Sequence, residues 1–379
     1  MRMKNIPIIL GCIMLLAVCC TTKRAEPAPQ TLKDALKSDF YIGTAVNIEQ
    51  IFERDTAGVR VITQHFNAIV AENCMKPMFV QPEQGKFFFD EADRFIEFGE
   101  KHSMWLTGHC LVWHNQTPAW FFVDKDGKEL SRDSLLARIK THITTVVSRY
   151  KGKIKGWDVV NEAIMEDGSW RQSPLYRIIG QDFIDSAFVW THAADPEAEL
   201  YYNDYAMAHE GKRNAVVALV NRLKQSGIRI DAIGMQGHAG MDHPNFEEFE
   251  KSITAFAATG AKVLITELDV SILPTPNYNI GADITAKFEY QQKMNPYPDG
   301  LPAEIDSAWN ARVADLFAIF LRHKDVITRV TTWGTGDSNT WRNDWPIPGR
   351  KDYPLLFDRN YKAKPCVEKI IEIAIKGKE

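Results

Sequence analysis

Eight short apolar runs, at residues 41–46, 68–71, 105–111, 156–160, 200–203, 232–236, 263–266 and 330–333, alternate with longer stretches of helical periodicity. Runs this short, apolar without strict alternation, mark strands buried on both faces, as in a parallel sheet. Helical stretches are clearest at 90–102, with Ala92, Phe95, Ile96 and Phe98 on one stripe, and at 134–150, with Leu135, Ile139, Ile143 and Val146. Others run over 212–227, where Gly227 closes the helix, over 309–323 and over 365–375. Strand followed by helix predicts an α/β fold, and eight such units predict closure into a (β/α)8 TIM barrel forming a single domain over residues 31–379. An open doubly wound sheet is disfavoured, because no strand leads into a glycine-rich phosphate turn.

Composition narrows the possibilities further. The 379 residues, 45% hydrophobic and 25% charged, suit a globular protein with a full core. A net charge of −4 and a pI near 6.2 leave no polybasic surface, which argues against nucleic acid as a partner. Ten Trp, eleven Tyr and twenty Phe supply rings for stacking on a ligand, although most are expected to fill the core. Cys74, Cys110 and Cys366 lack metal-ligand spacing and read as buried free thiols. No metal and no cofactor is expected.

The remaining cysteines, Cys12, Cys19 and Cys20, belong to the amino-terminal segment. Met1-Arg2-Met3-Lys4 is basic, and the apolar stretch 6–18 is short for a membrane span, so residues 1–19 read as a signal peptide. Leu15-Leu16-Ala17-Val18-Cys19-Cys20 resembles a bacterial lipobox, which implies a lipid on Cys19 or Cys20. Residues 20–30 read as a flexible tether. The expectation is an exported monomer held at the cell envelope as a lipoprotein, with ordinary secretion as the alternative. The lipid would be its only membrane contact.

A barrel of this kind keeps its chemistry at the C-terminal ends of the strands. Here those ends are densely polar: Glu72-Asn73-Cys74-Met75-Lys76 at the end of the second run, His109 to Gln116 at the end of the third, and Asn161-Glu162 at the end of the fourth. Asn203-Asp204-Tyr205, Gln236-Gly237-His238, Glu267-Leu268-Asp269 and Trp333 end the next four. Any one of these is a weak signal, since a lone histidine in an apolar run is more often a core residue. Two glutamates, each closing a buried strand, match what glycoside hydrolysis requires: one carboxyl to protonate the leaving oxygen, another to attack or to activate water.

Trp157-Asp158-Val159-Val160-Asn161-Glu162 and Ile265-Thr266-Glu267-Leu268-Asp269 resemble the two signature segments of the family 10 glycoside hydrolases, the endo-β-1,4-xylanases. Glu72 to Lys76, Gly108 to His114 and Gln236 to His238 resemble further segments of that family, in the same order, and the likeness runs from about residue 38 to the carboxyl terminus. The resemblance implies a single catalytic domain acting on xylan and xylo-oligosaccharides by retaining double displacement. In it Glu162 is the acid/base and Glu267 the nucleophile. Asn161 bonds the sugar 2-hydroxyl, Gln236 holds the acid/base, and His238 supports the nucleophile while Asp269 orients the imidazole. Retention requires the carboxyls to lie about 5–5.5 Å apart.

The same resemblance implies that Glu72, Asn73 and Lys76 bind sugars on the non-reducing side, and that His109, Trp113 and Gln116 form the site at the scissile bond. Trp333 and Trp341 wall that site against a hydroxymethyl group, and Tyr205 lies on the leaving-group side. Trp120, Trp170 and Trp345 are left to the core or outer cleft. The chain departs from the family in having Pro77-Met78 where a tryptophan commonly follows the lysine, and in the Pro-, Tyr- and Asn-rich stretch 274–302, read as a cleft loop. Its cysteines do not support the family's frequent disulfide. Alternatives are a barrel β-glycanase acting on glucan or mannan, a hydrolase of short xylo-oligosaccharides, and a lipoprotein that binds glycan without cleaving it.

Overall fold

The computed structural model describes residues 31–274 and 292–377. The expected signal peptide and tether, with Cys12, Cys19 and Cys20, lie outside the described residues, as does much of the stretch 274–302.

The strands are β1 (Tyr41–Val46), β2 (Ala68–Ala71), β3 (Trp105–Val112), β4 (Gly156–Asn161), β5 (Glu199–Asp204), β6 (Ala232–Met235), β7 (His238–Gly240), β8 (Lys262–Ser271) and β9 (Ile327–Thr332). All pair in parallel. β1 lies between β2 and β9, and pairing of β6 with β8 closes a ring of eight, with β7 added along the outer end of β8. Among the described residues closure leaves the ring of eight without an unpaired edge, and it turns the C-terminal ends of the ring strands toward one mouth.

Each ring strand is followed by a helix: α1 (Thr56–His65), α2 (Asp90–Lys101), α3 (Arg132–Arg149), α4 (Asp182–Ala194), α5 (Glu210–Gln225), α6 (Phe246–Ala258), α7 (Ala303–Arg322) and α8 (Pro365–Lys376). Side-chain oxygens cap several of them. Asp55 accepts from Gly58 N at 2.9 Å, and Asn245 from Glu247 N at 2.9 Å, satisfying amides that have no intrahelical partner. The helices bury their apolar stripes against the outside of the barrel in one continuous core, which includes Phe95, Ile139, Ile143, Val220, Phe256 and Phe317. Inside the barrel the filling is tight. A Cβ at Gly108 would collide with the fully buried Trp157 indole, and one at Gly156 with the Tyr201 ring. Cys74, Cys110 and Cys366 are free and buried.

The eight apolar runs are the eight ring strands, but several limits move. β8 was expected to end at 266, before the glutamate; it runs on to Ser271, because β7 pairs with the extension (His238↔Asp269, Ala239↔Val270, Gly240↔Ser271). Glu267 therefore sits within a strand. β9 starts at Ile327 and stops at Thr332, so Trp333 lies just past it, and Gln236 likewise lies just past β6. The crossover helices α1, α4 and α6 complete the alternation, and the other five lie where the sequence shows helical periodicity.

Candidate active site

An open cavity of about 960 Å³ occupies the mouth formed by the strand ends. Every residue to which the family resemblance assigns a catalytic, supporting or sugar-binding role lines it except Asp269, which lies directly behind.

Glu162 is the first residue beyond β4 and adopts φ 58°, a left-handed backbone uncommon outside glycine. Its Oε1 accepts from Gln236 Nε2 at 2.9 Å and its Oε2 from Trp113 Nε1 at 2.8 Å. Burial pushes this carboxyl above the usual range, helped by the negative charges of Asp204 and Glu267, and the two hydrogen bonds only partly offset the rise. A group held this way is shifted toward its protonated form, the state that a general acid needs.

Glu267 stands across the barrel on β8 in the opposite condition. Burial pushes it up, but the His238 contact, the nearby His109 and His238 charges and the Asn203 hydrogen bond outweigh burial and hold it below the usual range. Asn203 Nδ2 donates to Glu267 Oε1 at 2.8 Å, and His238 Nε2 lies 3.3 Å from Oε2. Two equally buried carboxyls are thus driven apart, one toward the acid and one toward the anion, the pattern by which paired carboxyls divide acid and nucleophile roles.

A short chain of amides joins them. Asn161 Oδ1 accepts from Asn203 Nδ2 at 2.9 Å and, at 3.4 Å, from the Gln236 amide that also bonds Glu162. Thr266 Oγ1 donates to Asn203 Oδ1 at 2.6 Å, which fixes the orientation of that amide. With its oxygen engaged from both sides, Asn161 has its NH2 group left to donate into the cavity. The sequence pattern assigns Asn203 no role; its one signal is its place at the polar end of β5, beside Tyr205.

Behind Glu267 lies a second charged layer. His238 Nδ1 is 3.0 Å from Asp269 Oδ1, an ion pair out of line for a hydrogen bond. Asp269 also accepts from Arg342 Nε at 2.9 Å and from Trp341 Nε1 at 2.7 Å. Burial opposes ionisation of Asp269, and the Arg342 and His238 charges overcome it, holding this carboxyl well below its usual range. Burial likewise disfavours the His238 imidazolium, yet Asp269 and Glu267 raise its pKa to about 9. Arg342 was not foreseen, since its place in a loop after β9 gives no periodic signal.

A stability consequence follows. The folded-state pKa of His238 exceeds the ordinary 6.5, so its contribution is complete below pH 6.5 and is lost as pH rises through about 9. The melting temperature of His238→Asn is expected to fall furthest below wild type near pH 6, with the gap closing by pH 10. A gap that stays constant between these values would contradict a charged His238.

The remaining wall is polar on one side and aromatic on the other. Lys76 Nζ donates to Gln116 Oε1 at 2.7 Å and Asn73 Oδ1 at 3.1 Å, and lies 5.1 Å from the centre of the Trp113 ring. Burial raises the Glu72 carboxyl, against the attraction of Lys76. His109 Nδ1 is 2.8 Å from Asp158 Oδ2, and its ring lies edge-on to Trp333 at 5.2 Å. Trp341 packs against Trp345 with ring centres 4.5 Å apart, and both line the cavity. Tyr205 also lines it, its hydroxyl accepting from Arg171 Nη2 at 2.7 Å. Trp170 stacks on Tyr176 outside the cavity, and Trp120 Nε1 donates to the Pro82 carbonyl at 3.1 Å.

Known proteins share this chain's sequence and fold over most of its length. Endo-1,4-beta-xylanase A of Xylanibacter ruminicola is 52% identical over 343 residues, spanning 90% of this chain and 93% of that protein. An endo-1,4-beta-xylanase of Geobacillus stearothermophilus is 40% identical over 345 residues, spanning 90% and 98%. A family 10 endoxylanase structure retrieved from a sugarcane soil metagenome superposes with a TM-score of 0.86 at 44% identity, covering 91% of this chain and 99% of that one. The model of glycosyl hydrolase family 10 matches residues 31–373. The chain belongs to glycosyl hydrolase family 10.

Proposed function

We propose that the protein is an endo-1,4-β-xylanase that cleaves xylan and xylo-oligosaccharides with retention of anomeric configuration. The observation that carries this reading is the opposed state of two carboxyls facing one cavity, Glu162 held toward its acid form and Glu267 toward its anion. In the first step Glu267 attacks the anomeric carbon while Glu162 gives its proton to the departing glycosidic oxygen. In the second, Glu162, now anionic, takes a proton from water as that water displaces Glu267. Asn161 donates to the 2-hydroxyl, a contact that tightens as charge develops on the ring. Gln236 and Trp113 fix the acid, while Asn203 and His238, whose charge Asp269 supports, keep the nucleophile ionised.

Trp333 and Trp341 favour xylose over glucose by filling the space that a hydroxymethyl group would need. The test is sugar release by the full chain from arabinoxylan, glucuronoxylan, carboxymethylcellulose and mannan, with Glu267→Ala as control. Oligosaccharides from the xylans alone, absent in the control, are the expected result; equal release from carboxymethylcellulose or mannan would replace the reading with a broader β-glycanase.

We also propose export as a lipoprotein, on the strength of the lipobox-like run ending at Cys19-Cys20. Labelled fatty acid is expected to enter the wild type and not a Cys19→Ser, Cys20→Ser double variant; an unlabelled wild type would leave plain secretion.

A further inference from the structure

The left-handed backbone of Glu162 is held by groups that do not touch the cavity. We infer that the buried Asp204–Lys212 pair, acting through Tyr202 and joined by Arg171, is a clamp that positions Glu162 for proton transfer; this rests on the acid/base reading given above.

The residues from Glu162 to Ile164 are fixed one amide at a time by β5. Glu162 N donates to Asn203 O at 2.9 Å, Ala163 N to the Tyr202 hydroxyl at 3.2 Å, and Ile164 N to Asp204 Oδ2 at 3.4 Å. The Tyr202 hydroxyl in turn donates to Asp204 Oδ2 at 2.5 Å. Asp204 Oδ1 accepts from Lys212 Nζ at 2.9 Å, and that ammonium also donates to Tyr205 O at 3.0 Å while lying 3.8 Å from the centre of the Tyr205 ring. On the other side, Arg171 Nε donates to the Glu162 carbonyl at 2.8 Å. The Glu162 carbonyl and the two amides that follow it are thus bonded to members of this network, while the Glu162 amide is held by the β5 backbone.

The loop between is seated on the same helix that carries Lys212. Arg171 N returns to Ala163 O at 2.9 Å. A Cβ at Gly168 would lie 2.6 Å from Gly211 O, and one at Gly211 would lie 2.6 Å from Asp167 O, so the two glycines allow a contact that larger residues block. Tyr202, Asp204 and Lys212 are fully buried and none lines the cavity.

A buried ion pair is a poor source of stability, since well-packed apolar residues often serve as well or better. Here each member is bonded to the segment that carries the carboxyl or to its neighbour Tyr205. Positioning explains that distribution, and generic packing does not.

The proposal is tested with the full chain on aryl β-xylobiosides whose phenols range from dinitrophenol to unactivated phenol. An aimed acid matters when the leaving group is poor and hardly at all when it departs unaided. Tyr202→Phe is expected to lose roughly ten- to a hundred-fold in kcat/KM on the poorest leaving groups, the scale of a misplacement near 1 Å, while staying within about two-fold of wild type on the dinitrophenyl substrate. Arg171→Met, at a half-buried loop position, should show the same slope and covers the case in which Tyr202→Phe does not fold. A loss equal across all leaving groups, or no loss in either variant, would overturn the clamp. Glu162→Ala, assayed alongside, reports on the reading beneath it. A steep slope there with flat responses in the other two overturns the clamp alone, whereas a flat response in Glu162→Ala overturns the acid/base assignment and the clamp together.

Discussion

Glu267→Ala is expected to lower turnover of xylan by on the order of 10⁴-fold or more, with the protein still folded. The size follows from the role. Without a carboxylate at this position no covalent sugar ester forms, and neither Asn203 nor His238 replaces it, since both only hydrogen-bond or pair with its oxygens. The space left by the side chain opens the far face of the sugar. Added azide should restore cleavage of an activated aryl xylobioside by attacking there, forming the C–N bond as the C–O bond breaks, and the product should be the α-xylobiosyl azide. Residual activity above about one per cent in a preparation free of wild type would sink the assignment.

Glu162→Ala should have the second largest effect, about 10²- to 10⁴-fold on xylan, the usual range for a positioned acid or base. Azide is expected to act differently here. With Glu267 intact the covalent intermediate still forms from an activated substrate, and azide intercepts it from the face that water would use, so the product is the β-azide. The pH profile gives an independent check. The wild type needs Glu162 protonated, so activity should fall as pH rises through its elevated pKa; it needs Glu267 ionised, so activity should also fall as pH drops through that group's depressed pKa. The alkaline limb should vanish in Glu162→Ala and the acid limb should remain. An unchanged alkaline limb would assign that titration elsewhere.

Much of this was legible from local pattern. A buried parallel strand is mostly apolar, so 105–111 and 156–160 stand out, and so do the polar residues that close them, His109 and Glu162 among them. Strand limits were less accessible where pairing is nonlocal. Nothing within Lys262 to Thr266 tells that the strand continues past Glu267, because its extension depends on β7, more than twenty residues earlier in the chain. The site divides along the same line. Glu162, Gln236 and His238 announce themselves at strand ends. Asn203 matters because its amide reaches both Asn161 and Glu267, and Arg342 because a loop returns it to Asp269; both are facts of packing. The state of each carboxyl was likewise invisible, since it is set by burial and by neighbours from other strands.

The anomeric configuration of the first product tests the central claim most directly. Proton NMR of xylo-oligosaccharide hydrolysis, followed from the earliest minutes, should show the β-anomer first, with the α-anomer growing only as mutarotation proceeds. An α-anomer formed first would mean direct attack by water, and would contradict the double displacement through Glu267.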